Sequence, residues 1–352
     1  MHRTASWLAL LGACSPPAVE PADSDTDRFD LPWVDTADTG LGFAHACHAA
    51  GTCCPVPRAP VLPELTAADP LVFTAPSGTI EVALLRDHLP LDEAVWMPGD
   101  RLEAGDETGS FRFLARVVDP GCETGPVFDH VATVVTAFSG PRGTPGSQAV
   151  AHDDPHVVGW ATGVAEAVWG TDVLPAWQVP ERALGPAGGS GDVCSLGRGG
   201  QVTLTFDPPV TNGPGPDLAV FENGFSHRFL ELAWVEVSSD GQAFARFDVA
   251  AHTPQPVAQY GELDPGAVLG VAGRHRALDG TPFDLAWLRV HPAVRDGQVD
   301  LDAITHVRLV DVVGDGSARD AWDRPIHDPF PTIETAGFDL DAVAVLRWQA
   351  PR

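Results

Sequence analysis

The sequence predicts an all-β protein in which a C-terminal β-sandwich or jelly roll follows a smaller β domain and a disordered acidic tether. The first observation is the alternation of polar with apolar residues over short runs, such as 201–206 and 232–239, which is the period of a half-buried strand. The second is the supply of turn formers, 36 Gly and 33 Pro, that separate the runs. No strand-like run alternates regularly with a long helical pattern, so a parallel α/β sheet is not expected.

The charge of the 352-residue chain excludes a general nucleic-acid binder. The chain has 48 acidic and 21 basic residues, a formal net charge of -27, and every basic residue is Arg because the sequence contains no Lys. Such a field repels polyanions, so we expect no nucleic-acid partner. No apolar run is long enough to predict a transmembrane helix, and we expect contact with a membrane through a lipid anchor only.

Residues 1–13 are typical of a bacterial lipoprotein signal peptide. Arg3 supplies the positive end, a short apolar run follows, and the tetrapeptide LGAC ends at Cys14, the residue that would be lipidated. Ser15 follows where Asp would retain the protein at the inner membrane, so we expect a lipid-anchored protein of the outer membrane or cell surface. An ordinary signal peptide and a misassigned start are the alternatives.

Residues 14–59 are expected to form an acidic tether, rich in Pro, Asp and Thr, that ends in a cysteine cluster. In an oxidising compartment the cysteines other than Cys14 are disulfide candidates: Cys47, Cys53, Cys54, Cys122 and Cys194. A metal knot that also uses His45 and His48 is the alternative for the cluster, although its spacing fits no common zinc site. Five is an odd number, and the spacing does not determine the connectivity.

Two folded domains are expected after the tether. Residues 60–145 contain short strand-like runs, for example 79–85 and 111–118, and turn clusters separate these runs, which predicts a small β-sandwich. A stretch rich in Gly, Pro and Ser, residues 139–147, indicates the boundary. Residues 146–352 contain the longer series of alternating runs and are expected to form a jelly-roll-like surface domain.

An ordered series of motifs runs through the second domain. Its main members are ALGP at 183–186, SLGRGGQVTLTFD at 195–207, NGPGPDLAVFENGF at 212–225, ITHVRLVDVVG at 304–314 and GFDLDAVAV at 337–345. The series resembles a family of uncharacterised bacterial cell-surface proteins, many of which have a C-terminal sorting anchor of the PEP-CTERM type. The resemblance spans about residues 180–346 and implies a surface β-sandwich whose last strand is similar to that of galactose-binding-like jelly rolls. It implies no activity, and here the N-terminal lipid would replace the C-terminal anchor.

Polar residues within apolar strands are the first candidates for a ligand site. We expect a polar groove on one sheet face from the ligand-binding candidates Glu222, Asn223, Glu236, Arg308, Asp339 and Asp341. Carboxylates accept hydrogen bonds and Arg donates several, which suits the recognition of sugar hydroxyls. The alternation also predicts that Asp339 and Asp341 face away from a shared apolar face formed by Phe338, Leu340, Ala342 and Leu346. A solvated outer sheet face is the alternative interpretation.

The acidic loop at 311–334 is the second candidate. It contains five possible calcium ligands: Asp311, Asp315, Asp320, Asp323 and Asp328. Calcium prefers six to eight oxygen ligands on a flexible loop, and a dication would offset the mutual repulsion of these carboxylates. We therefore expect Ca²⁺ as the one cofactor, with a plain acidic surface as the alternative.

The sequence lacks the usual catalytic signatures, G-x-S-x-G, H-E-x-x-H and the phosphate-binding G-K-S/T, so no catalytic residue is assigned. We expect a cell-surface lipoprotein with a binding or structural, lectin-like or adhesive β-sandwich, whose partner is an extracellular glycan or surface polymer. One alternative is a secreted glycan-active hydrolase that uses two of the carboxylates Glu222, Glu236, Asp339 and Asp341. The other is a purely structural envelope protein.

Overall fold

A computed structural model describes residues 33–36, 45–48, 53–104, 107–119, 122, 126–189 and 191–348. For residues 33–36, 45–48 and 53 only the backbone is described. All described residues belong to one compact unit. None of the helices that they form has the length and apolar character that a membrane crossing requires.

Strands are numbered in chain order. The N-terminal ones are β1 (Trp33–Thr36), β2 (His45–His48), β3 (Cys53–Pro55), β4 (Glu64–Leu65), β5 (Leu71–Val72), β6 (Thr79–Arg86), β7 (Met97–Pro98), β8 (Arg101–Leu102), β9 (Gly109–Val118) and β10 (Val127–Val134). β1, β2 and β3 form one small antiparallel sheet. A five-stranded sheet follows, in the order β4-β10-β9-β6-β7, and β5 pairs with β8. A disulfide joins Cys54 of β3 to Cys122, which lies between β9 and β10.

The C-terminal strands form a β-sandwich. They are β11 (Val150–Ala151), β12 (Val157–Trp160), β13 (Gly163–Val168), β14 (Cys194–Ser195), β15 (Gln201–Val210), β16 (Leu218–Glu222), β17 (Ala233–Ser238), β18 (Ala245–Arg246), β19 (Ala250–Ala251), β20 (Val268–Leu269), β21 (Asp279–Phe283), β22 (Ile304–Asp311) and β23 (Asp339–Leu346). One sheet has the order β11-β21-β16-β23-β12, with β14 also paired to β23, and the other has the order β13-β15-β22-β17-β18. Helical structure within the described residues is limited to short segments: 3₁₀ turns at Leu91–Glu93, Pro180–Ala183, Pro265–Ala267 and Leu285–Leu288, and one α-helical turn, α1, at Pro292–Arg295.

The main hydrophobic core lies between these two sheets. Alternate residues of β15, β17 and β22 meet alternate residues of β16 and β23 there, among them Leu204, Val235, Leu309, Val220, Leu340 and Val343. Each is almost completely buried, which stabilises the fold by about 1.5–3 kcal/mol per large apolar side chain. The predicted all-β class and the C-terminal sandwich are confirmed.

One sequence prediction about β23 is wrong. Phe338 and Leu340 lie in the core between the sheets, whereas Ala342 and Leu346 pack in a separate cluster with Phe221. The reason is a β-bulge: Phe221 of β16 pairs with Ala342 but Glu222 pairs with Leu340, so Asp341 is an extra residue. An extra residue reverses the alternation of faces beyond it, and the four apolar residues therefore do not share one face.

The N-terminal sheets and the C-terminal sandwich share a hydrophobic cluster. Phe113 and Phe128 of the N-terminal sheet belong to it together with Ala250 of β19 and Leu269 of β20, two strands that pair with each other outside the two sandwich sheets. The half-buried Trp322 packs against it. Residues 139–147, in which we expect the domain boundary, connect the two parts. The boundary itself stays a prediction.

Candidate functional site

A polar cleft of about 490 Å³ lies at one end of the six-stranded sheet. We call it the arginine cleft and define it by its main side chains: Arg142, His152, Asn223, Phe225, Arg276 and Asp279. Its size falls within the range of small-molecule sites, about 300–1,000 Å³. Asn223 is the one ligand-binding candidate from the sequence that lines it.

Three connections build this cleft. The loop after β16 contains Asn223 and Phe225, and its Gly224 carbonyl accepts a hydrogen bond from Ala277 N in the turn before β21. The residue after β11, His152, donates its backbone N–H to Leu278 O of the same turn. Backbone hydrogen bonds therefore hold three segments that are distant in the sequence around one concave surface.

The β-bulge forms the wall behind the cleft. Asp341, the extra residue, accepts hydrogen bonds from Gly188 N at 3.1 Å and Gly189 N at 2.9 Å. Gly189 has φ +59°, and a Cβ there would lie 2.5 Å from the side chain of Leu278. Glycine at this position thus allows the loop to approach the turn that contains Arg276, which explains the local Gly-rich sequence.

Two arginines of the cleft, Arg142 and Arg276, approach the same carboxylate, that of Asp279. Arg142 Nη1 lies 3.0 Å from Asp279 Oδ1, and Arg276 Nε lies 3.5 Å from Asp279 Oδ2. Asp279 is only 3% exposed, whereas the side chains of Arg142 and Arg276 are 53% and 54% exposed. The anion is therefore at the base, and the cations face the solvent with a surplus of one positive charge.

A row of aromatic rings begins at the rim of the cleft. Phe225 is 80% exposed and stacks on Phe229 with ring centroids 6.0 Å apart. The ring centroid of Tyr260 lies 6.1 Å from that of Phe229, and Tyr260 is also exposed. Exposed apolar rings beside a polar cleft are typical of a binding surface, because their burial by a ligand is favourable.

A cluster of buried acids lies behind the cleft. Glu222 and Asp339 are 2% and 5% exposed, and Ser195 Oγ donates a hydrogen bond to Asp339. Burial raises the pKa of Glu222 well above its usual range, and the charge of Asp339 raises it further. Burial raises the pKa of Asp339 to about 7, and it also raises the pKa of Glu231, on which Asp339 acts as well. Burial in this cluster therefore favours the protonated, uncharged form of each carboxyl group.

The other two ligand candidates lie in the other sheet. Glu236 of β17 is opposite Arg308 of β22, with Arg308 Nη1 3.2 Å from Glu236 Oε2. Arg246 Nη2 lies 2.6 Å from Glu236 Oε1. The structure does not bring Glu236 and Arg308 together with Glu222, Asp339 and Asp341, so the expected single groove is divided between two sheets.

Arg246 also lines a second cleft, of about 390 Å³, between the N-terminal sheets and the sandwich. Its aromatic side chains, Phe128, Phe247 and Trp287, are buried or half-buried, so no exposed aromatic ring of the described residues lines it. The arginine cleft combines exposed donors with an exposed ring and is the stronger candidate.

The calcium candidates in loop 311–334 are separated by their environments. Asp311, Asp320 and Asp328 are buried and accept backbone hydrogen bonds, whereas Asp315 and Asp323 are exposed. Among the described residues, no group of three or more His, Cys, Asp or Glu side chains is arranged to hold a metal ion. Calcium binding therefore stays a prediction.

Two cysteine predictions can be compared with the structure. Cys54 and Cys122 form the disulfide described above, and Cys194 is a free, buried thiol. The prediction of lipidation at Cys14 lies outside the described residues. The side chains of Cys47 and Cys53, and of the neighbouring histidines, also lie outside them.

Sequence reasoning missed most of the cleft. Arg142 comes from the expected domain boundary and lies 137 residues from Asp279, so no local spacing relates them. Phe225 could have been found from the sequence. It lies between the turn formers Gly224 and Ser226, where a core position is not expected, so its ring is a candidate for an exposed binding residue. Arg276 directly follows Arg274 and His275, which are both buried, so the sequence does not show that Arg276 is exposed.

No protein-family model and no curated protein matches this sequence. Among solved structures, it is similar to a two-domain protein with unknown function from Bacteroides fragilis, at 9% identity and a TM-score of 0.26, covering 79% of this chain and 83% of that one. It is also similar to a structure described for the promiscuous specificity of carbohydrate-binding modules of the β-sandwich superfamily, at 13% identity and a TM-score of 0.18, covering 83% and 98%. Both TM-scores are low, so the class of protein is defined by the fold and site alone: an all-β protein with a polar cleft at the end of a sandwich.

Proposed function

We propose that this protein is a cell-surface lipoprotein that binds an extracellular glycan or surface polymer through the arginine cleft. The observation that supports it is the combination, in one concave surface, of exposed hydrogen-bond donors with the exposed ring of Phe225. A sugar presents hydroxyl groups at its edges and an apolar C–H face, so it needs polar partners and a flat apolar surface together.

Binding is favoured over glycan hydrolysis by the position of the carboxylates. A glycoside hydrolase needs two carboxyl groups that flank the scissile bond. Glu222 and Asp339 are buried behind the cleft, and Glu236 is ion-paired in the other sheet. These carboxylates do not line the arginine cleft, whereas the groups suited to binding do.

A glycan array tests the proposal. The full chain carrying Cys14→Ser is compared with a second protein that also carries Phe225→Ala. We expect Phe225→Ala to lower affinity for the bound glycans about tenfold, since truncation of an anchoring aromatic costs over 1 kcal/mol. Val95→Ala is the control, because Val95 is 75% exposed and lies in the N-terminal part of the chain.

The array also separates the structural alternative. If no glycan binds the Cys14→Ser protein, the binding function is excluded and a structural envelope role is left. If glycans bind but Phe225→Ala and Val95→Ala behave alike, the arginine cleft is not the site.

The location is tested independently of binding. Metabolic labelling with a palmitate analogue should mark the wild-type protein and not the Cys14→Ser variant. Equal labelling of both proteins would remove the lipid anchor from the proposal.

Calcium is an additional proposal that neither experiment tests. A ligand that binds only the folded state raises stability, by about 2.7 kcal/mol at one hundred times its dissociation constant. We expect a higher melting temperature in millimolar calcium than in EDTA, and a smaller difference in the double variant Asp315→Ala, Asp323→Ala. Equal melting temperatures for the wild type would leave the loop as an acidic surface.

A further inference from the structure

We infer that the ligand of the arginine cleft is an acidic oligosaccharide, with the carboxylate of a uronate residue bound between the guanidinium groups of Arg142 and Arg276. This inference rests on the proposed function, because it names the class of glycan for the same cleft. Three observations support it: the arrangement of the two arginines, the protonation and hydrogen-bond partners of the neighbouring acids, and the length of the aromatic row.

The two arginines have donors left to offer. Each guanidinium has five N–H donors in a planar fork that matches a carboxylate. The contact with Asp279 involves Nη1 of Arg142 and Nε of Arg276, and about half of each arginine side chain is exposed to solvent. Because Asp279 lies at the base, it orients both cations while leaving their outer edges accessible to a second carboxylate.

The neighbouring acids do not cancel this charge. Asp341 faces the Gly188 and Gly189 amides, which donate to it, and burial raises its pKa. Glu222 is buried, and burial raises its pKa well above its usual range, which favours its uncharged form. Asp192 pairs with Arg182 at 2.6 Å, and Asp154 lies 2.7 Å from the ring of His156. In a chain with a net charge of -27, the lining of the cleft thus has two arginines for one carboxylate, Asp279.

The aromatic row indicates more than one sugar residue. Phe225 lines the cleft, and Phe229 and Tyr260 continue from it at centroid spacings of 6.0 and 6.1 Å. A monosaccharide would cover the side chain of Phe225 only. An oligosaccharide whose acidic residue is in the cleft can also cover the exposed ring of Tyr260. The row thus extends the site from a monosaccharide to a chain.

Calorimetric titration with trigalacturonate and its methyl ester tests the inference on the full chain carrying Cys14→Ser. The two probes differ by charge at the carboxyl groups. We expect the acid to bind at least tenfold more tightly than the ester, and its affinity to fall with added salt because the charges are exposed. Arg276→Gln should remove this difference, and Arg101→Gln should keep it, since Arg101 pairs with Glu103 on the exposed surface of the N-terminal part.

Each outcome has a defined meaning. Equal binding of acid and ester overturns the uronate assignment and leaves glycan binding standing. Tighter binding of a sulfated trisaccharide than of trigalacturonate overturns the carboxylate assignment in favour of another anionic group. If acid binding is tighter but Arg276→Gln binds like the parent protein, the carboxylate is recognised elsewhere. If no glycan binds on the array and trigalacturonate, its methyl ester and the sulfated trisaccharide all fail to bind, the proposed function itself is wrong.

Discussion

At the scale of single residues, the main finding is the burial of acids for which the strand pattern predicted either a polar groove or a solvated sheet face. Asp339 lies beside Ser195, and its neighbours Glu222 and Glu231 are buried with it. Two side-chain oxygens of this cluster, Glu222 Oε2 and Glu231 Oε1, have no hydrogen-bond partner among the described residues. Charge in such an environment is unfavourable, so protonation is the least costly state.

The raised pKa of Asp339 gives a pH dependence with a definite sign. Its ordinary value is 3.8 and its folded value is about 7, so the folded state binds more protons between these pH values. The stability that Asp339 contributes is complete below pH 3.8 and is lost as pH rises towards 7. Asp339→Asn, which keeps an oxygen for Ser195 Oγ, should match the wild type at pH 4 and exceed its unfolding free energy by more than about 1 kcal/mol at pH 8.

Chemical denaturation of both proteins across this range measures the effect. Asp240→Asn is the control, because Asp240 is exposed and backbone hydrogen bonds from Gln242 and Ala243 lower its pKa. A constant difference between Asp339→Asn and the wild type at all pH values would show that the pKa of Asp339 is the same in the folded and unfolded states.

At the scale of elements, loop 311–334 is held by carboxylates that accept backbone hydrogen bonds. Asp311 accepts from Gly199 N and Phe338 N at 2.8 Å, and Asp328 accepts from Leu232 N at 3.0 Å. These bonds attach the loop to the strands on either side of the sandwich. Each one satisfies an amide that would otherwise be buried without a partner, which costs about 1–3 kcal/mol.

Gly314 is the most sensitive position in this loop. A Cβ at residue 314 would lie 1.7 Å from Asp328 Oδ1 and 2.7 Å from Asp328 O. We expect Gly314→Ala to displace Asp328, break its bond to Leu232 and lower the unfolding free energy by about 2–3 kcal/mol. Gly191→Ala is the matched control, since a Cβ there has no atom within 4 Å, and we expect a change within about 0.5 kcal/mol. Equal melting temperatures for the two variants would mean that the loop moves away from Asp328 without cost.

At the scale of the whole molecule, an ion network connects the N-terminal sheets to the sandwich. Arg324 Nη2 lies 2.7 Å from Asp69 and 2.6 Å from Asp320, and both carboxylates are completely buried. His252 Nε2 lies 2.9 Å from Asp69, and Trp322 Nε1 donates to Pro70 O at 2.8 Å. The two parts are therefore joined by directional contacts in addition to the shared hydrophobic cluster.

Arg324 should be the critical residue of this junction. Arg324→Ala leaves two buried carboxylates without their shared cation, and breaking a buried ion pair costs about 3–5 kcal/mol. Arg228→Ala, which removes an exposed pair with Glu262, should cost no more than about 1 kcal/mol. Denaturant unfolding followed by tryptophan fluorescence compares them. Similar midpoints for the two variants would show that the junction depends on apolar contacts alone.

The sequence by itself determined the class of fold and the position of most long strands. β15, β17 and β22 coincide with alternating runs, because period-two burial is a local property of neighbouring residues on one strand. The net charge of the chain and the turns at Gly and Pro can likewise be predicted without knowing which distant segments are in contact. Asn223 was found because it directly follows Glu222, a polar residue at the end of an apolar strand.

Tertiary structure alone decided the site. The bulge at Asp341 reverses the faces of β23, and its position depends on the register with β16, which is a contact between distant segments. Arg142, Arg276 and Asp279 meet because sheet order places β21 beside β11 and β16, while the chain between the two parts passes the same turn. Strand periodicity contains no information about which strands pair, and a site assembled from separate connections is therefore visible only when the sheet order is known.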